Sequence, residues 1–179
     1  MKKVLFAVVA FTFFLAVPPT EAQAQVTFGP QVVLWDFDEF GLGARGDFEL
    51  GGALEIEEGA FSALRASTNA SYLFGDSQQF NGTDASWSGI LINANAIVPF
   101  EIDGAVTPFA GAGINHTRFS SSVSGNGFQF GSFSGSSSGL NVLGGIEFDL
   151  GAVPAFTELQ YSTSGAGNLN LSLGVMFGG

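Results

Sequence analysis

The chain contains no cysteine. That absence excludes a disulfide framework, a thiolate metal site and a lipid-bearing cysteine. Charge is scarce as well: Asp, Glu, Lys and Arg make up 12% of residues, about half of the usual ~25%. Only five residues are basic, and the net charge is −11. Lysine occurs at positions 2 and 3 and nowhere else. Nothing in such a chain could neutralise a row of phosphates, so nucleic acid is not an expected partner. Long apolar runs are missing too. The longest, Val4 to Val17, falls short of the ~20 residues that a membrane-crossing helix requires.

That run carries a different meaning. It follows Lys2 and Lys3, is broken by Pro18 and Pro19, and precedes Ala22-Gln23-Ala24, a small-x-small cleavage pattern. Residues 1–24 therefore read as a secretory signal peptide, and 25–179 as a single folded domain. Beyond the signal the only cations are Arg45, Arg65 and Arg118.

Glycine (26) and phenylalanine (20) dominate what is present, and they are arranged with a period of two. The last stretch shows it best. Leu169, Leu171, Leu173, Val175 and Phe177 share one parity, and Asn168, Asn170, Ser172, Gly174 and Met176 share the other. Alternation of this kind marks a strand whose faces meet different surroundings. It recurs in Val26–Trp35, Phe40–Leu50, Ala63–Phe74, Ser88–Phe100, Val106–Thr117, Gly139–Leu150 and Val153–Ser162. Eight strands result. One face of all eight lacks Asp, Glu, Lys and Arg, whereas the other carries Arg45, Asp47, Glu49, Arg65, Glu147, Asp149 and Glu158 among Asn, Ser, Gln and Gly.

In a soluble sandwich the uncharged face would be the core. In a transmembrane barrel it would meet lipid, where a midplane Arg or Lys costs roughly 2–4 kcal/mol. Three features favour the barrel. There is a secretion signal, the polar faces are rich in Gly, Ser and Asn rather than in the Lys and Glu that solubilise a sheet, and the connections alternate in length. Gly75–Ala85 and Arg118–Ser138 read as long polar loops at one end. Glu101–Ala105 and Gly151–Ala152 read as tight turns at the other, while Gly51–Gly59 is a longer turn there.

The run Thr107-Pro108-Phe109-Ala110-Gly111-Ala112-Gly113-Ile114 resembles the Pro-aromatic-x-Gly-x-Gly strand of small outer-membrane barrels, the OmpA/OmpX-like and opacity-protein-like families. The final strand resembles their C-terminal assembly signal. The resemblance spans nearly all of residues 25–179. It implies an all-β fold, an eight-stranded antiparallel up-and-down transmembrane β-barrel in the outer membrane of a Gram-negative-type bacterium. It also implies contact with membrane lipid and with the barrel-assembly machinery through Leu169–Phe177.

Eight strands enclose a lumen that side chains can fill, so no open pore is expected. Arg45, Asp47, Glu49, Arg65, Glu147 and Glu158 form a candidate lumen charge network, because charges withdrawn from water need partners. Deacylase-like barrels place Ser two residues after His; here Arg118 follows the only His, His116, at that spacing. No enzyme, cofactor or metal site is expected, the acidic turn Asp36–Glu39 reading as solvated. Phe128, Phe130 and Phe133 are the candidate surface contact, either packed on extended strands or open to a partner. The expected function is a structural or surface-interaction role in envelope integrity or adhesion. A small porin-like channel is one alternative, and a soluble secreted β-sandwich or lipocalin-like binder is the other.

Overall fold

The computed structural model of the protein describes residues 26–52, 54–56, 58–59, 61–80, 83–100, 102–125, 128–151 and 153–178. The expected signal peptide, 1–24, lies outside them.

The elements are all strands: β1 Val26–Trp35, β2 Glu39–Glu49, β3 Arg65–Phe80, β4 Thr83–Pro99, β5 Val106–Gly125, β6 Phe128–Asp149, β7 Pro154–Ser162 and β8 Asn168–Val175. Beyond Met176 a two-residue continuation of β8, β9 (Phe177–Gly178), pairs with Thr27 and Phe28 of β1. Each strand pairs antiparallel with its neighbour in sequence. β8 then returns to β1, with Val32 opposite Leu173 and Leu34 opposite Leu171. Since β1 also pairs with β2, the sheet is closed. Closure satisfies the backbone of every strand within the membrane, the condition any lipid-spanning sheet must meet. It also removes the soluble-sandwich alternative.

The parity read from the sequence is the parity of the barrel wall. Val32, Leu42, Ile92, Ile114, Leu140, Val142 and Leu173 are exposed on the outside. Gln31, Arg45, Asn69, Asn93, Asn141, Glu158 and Asn170 are buried within. The pleat alone produces this, and lipid takes the place a soluble protein gives to its core.

The expected loops Gly75–Ala85 and Arg118–Ser138 are instead ladders. Ser77 pairs with Ser86 and Phe80 with Thr83, and Ser121 pairs with Phe133 and Gly125 with Phe128. Bulges between Phe74 and Ser77 and between Val123 and Ser124 mark where the pleat adjusts. Above the lipid both faces of a strand are wetted. Ser and Gly then replace the apolar alternation while the backbone pairing continues, so hydropathy loses the strand that hydrogen bonding keeps.

At that same end β1 turns into β2 through Asp36 and Phe37, both at positive φ (48° and 63°). Two consecutive left-handed residues define the tight hairpin turn that matches strand twist. The Asp36 carboxylate accepts the Leu169 N–H at 2.8 Å, tying this turn to β8.

Candidate functional site

Three layers fill the lumen. The deepest, toward the Val106 end of β5, is built around Arg45. Its Nε donates to Asp47 at 2.8 Å and its Nη1 to Glu158 at 2.9 Å. Residue Arg45 is 2% exposed. The guanidinium lies over the rings of Phe156 and Phe109, with Cζ 4.3 Å and 5.3 Å from their centroids. Two carboxylates and two aromatic faces thus hold one cation, and a desolvated cation–π contact can add about 2 kcal/mol. Glycine makes the clamp possible: a Cβ on Gly174 would fall 2.6 Å from the Phe156 ring, and one on Gly145 would collide with Phe109. Nearer the short turns, Arg65 pairs with Glu147 at 2.8 Å, both partly exposed. Glu49 stands opposite Arg65 on β2 and is exposed.

The middle layer is an amide belt. Asn93 donates to Asn69 at 2.7 Å, Asn141 to Asn95 at 2.7 Å, and Gln160 to Asn93 at 3.1 Å. The belt links β3, β4, β6 and β7 across the lumen, and beside it Asn115 on β5 donates to Ser164 after β7 at 2.9 Å. Gln31 ties β1 to Ser71 at 2.9 Å.

The outer layer is apolar. Trp35, Leu73 and Leu91 are packed together, with Trp87 and Phe119 against them. Phe119 meets Trp35 and Trp87 edge-on, at 5.6 Å and 5.8 Å between centroids. Above this plug opens a shallow mouth of about 440 Å³, walled by Trp35, Trp87, Phe119 and Phe133 and rimmed by Asp36 and Asp38.

The structure brings five of the six candidate lumen residues into two separate groups, Arg45–Asp47–Glu158 and Arg65–Glu147. Glu49 has no ion pair recorded among the described residues. Phe133 is 73% exposed on β6. Phe128 and Phe130 lie at the start of β6, and their side chains fall outside what is described. The sequence reading missed the partnership of Phe109 and Phe156 with Arg45. Their lumen-facing parity was visible, but the depth at which they meet was not. It also missed that His116 Nδ1 lies 2.8 Å from Ser138 Oγ. These residues face each other across β5 and β6 on the outer wall. No acidic partner of that ring is recorded among the described residues, and an activated hydroxyl would need a base itself oriented by a third group.

A closed eight-stranded wall, apolar outside along the band of Val32, Leu42, Ile92, Ile114, Leu140 and Leu173 and packed with polar side chains inside, defines a transmembrane β-barrel of the outer-membrane kind. Residues 63–175 match the model of the opacity family of porin proteins, and the chain belongs to that family. No curated protein matches it in sequence. Among solved structures it is similar to Neisserial surface protein A, at 20% identity and a TM-score of 0.53 over 86% of this chain and 94% of that one. The N-terminal barrel domain of Pseudomonas aeruginosa OprF gives 16% and 0.56, over 88% and 98%. A major outer-membrane protein of Thermus thermophilus gives 10% and 0.67, over 87% and 99%. At these identities the likeness concerns the fold. The barrel is embedded in membrane lipid, in the setting of a Gram-negative envelope.

Proposed function

We propose that this protein is a structural and surface-interaction component of the outer membrane, in an envelope-integrity or adhesion-like role, and that it holds no open pore. The observation that carries this reading is the filled lumen. A clamped Arg45, an amide belt and the Trp35–Leu73–Leu91 plug succeed one another along the axis. An ion would have to displace all three. The tall β5–β6 hairpin with exposed Phe133 supplies the surface for a partner. On this reading residues 1–24 are removed on export, Leu169–Phe177 is read by the barrel-assembly machinery, and no reaction is catalysed.

The test is single-channel recording on the refolded barrel in planar bilayers. Silence at moderate voltage supports the reading; steady ohmic openings overturn it and favour the small porin-like channel. One observation favours that second reading. Buried polar atoms including Gln31 Oε1, Asn95 Nδ2 and Asn115 Oδ1 have no protein partner, and water at those atoms would form part of a path.

A further inference from the structure

Arg118 stands apart from the other described cations. Arg45 and Arg65 are held inside by carboxylates. Arg118 lies on the outer wall of β5, exposed, with no ion pair or hydrogen bond recorded among the described residues. Its neighbours across the sheet are Ile90 on β4 and Ser136 on β6. His116, two residues earlier on the same face, sits between Ile92 and Ser138. No carboxylate stands directly beside either residue in the ladder. In a chain of net charge −11, an unpaired guanidinium amid Ile and Ser has its counter-ion outside the protein.

Its height says where that counter-ion is. A strand tilted by about 40° climbs roughly 2.6 Å per residue, so His116 stands about 26 Å above Val106. That is the height of the apolar band of an outer-membrane barrel, ~25 Å. The side chains agree. Ile92, Ile114 and Leu140 are exposed to lipid just below, and Ser120, Ser134, Ser136 and Ser138 begin directly above or beside. Arg118 and His116 therefore lie at the boundary between acyl chains and headgroups, at the end of the barrel opposite the short turns.

We propose that Arg118 and His116, with the Ser136 and Ser138 hydroxyls, form a docking site for the phosphate of an outer-leaflet glycolipid. Guanidinium binds phosphate through paired charge-assisted hydrogen bonds. His116 contributes through its ring: when Ser138 donates to Nδ1, Nε2 keeps its hydrogen and is a second donor about 7 Å along the strand from Arg118. Ile92, Ile114 and Leu140 lie where the acyl chains of the same lipid would pack. The site rests on the membrane-spanning assignment and goes beyond the proposed role by naming a lipid partner.

The experiment uses the full barrel refolded in phosphatidylcholine nanodiscs, with and without purified lipopolysaccharide, and counts bound lipopolysaccharide per barrel by native mass spectrometry. Retention of the heat-dependent gel shift is scored separately, so that failure to insert is distinguished from failure to bind. The wild type is expected to retain the phosphorylated lipid. R118Q should retain it roughly tenfold less, and H116A should show a smaller loss. R118K, which keeps charge but not the planar fork, should fall between and serves if R118Q does not fold. Enzymatic removal of the lipid's phosphates should abolish the difference between wild type and variants. Equal retention by wild type, R118Q and R118K overturns the site. Competition of the bound lipid by millimolar inorganic phosphate alone would overturn the lipid assignment in favour of a free-anion site.

Discussion

Arg45 is the residue on which the interior depends. A buried cation between two carboxylates is worth little as an isolated pair, because desolvation offsets attraction, but removing one partner strands the others. Arg45→Met should lower stability by about 3–5 kcal/mol, read as the urea midpoint of tryptophan fluorescence in lipid vesicles. Adding Asp47→Asn and Glu158→Gln should restore a substantial part. If the triple variant is no more stable than the single one, burial of the charges is not what Arg45 offsets. The glycine slots make a second prediction at this scale. Gly174→Ala forces the Phe156 ring aside and should cost about 1–3 kcal/mol. Gly131→Ala meets nothing within 4 Å and should stay within about 0.5 kcal/mol of wild type.

At the scale of the strand, each face has its own solvent. Leu173 is exposed on β8 between Val32 and Thr157. Leu173→Arg should cost about 2–4 kcal/mol in vesicles if it lies near the midplane, and the same assay would show no such penalty were that face in water. The tall hairpin is a different case. Among the described residues, none of its pairs above Phe119 and Gly135 is recorded in a hydrogen bond or ion pair with the lumen belt or the Arg45 clamp. Replacing residues 121–134 by a short turn should therefore leave folding and the heat-dependent gel shift intact. Loss of the shift would mean that the hairpin carries barrel stability. How legible these strands were varies with their surroundings. Where one face met lipid and the other the lumen, as in Asn168–Phe177, parity and extent were readable. Arg118–Ser138 is mostly Ser and Gly, both faces meet water once the hairpin rises past Phe119, and the ladder there left no hydropathy signal. The inward parity of Arg45, Asp47 and Glu158, all buried, was readable in the same way. The partition of Arg45 with Glu158 and Arg65 with Glu147 was not.

For the molecule as a whole, the sequence alone determined strand number, parity, the all-β class and the likeness to small outer-membrane barrels. Each is a local property: a pleat that turns over every residue, repeated against an uncharged face, needs no knowledge of what lies across the barrel. Only the tertiary structure decided which side chains meet. Arg45 and Glu158 are 113 positions apart. They touch because closure of β8 onto β1 staggers the strands and sets the depth of each residue. The Phe109 and Phe156 rings reach Arg45 for the same reason, through gaps left by Gly145 and Gly174. The height of Arg118 on the outer wall likewise became defined once β5 was seen to continue past Thr117. Depth and stagger belong to the closed sheet, and no single strand carries them.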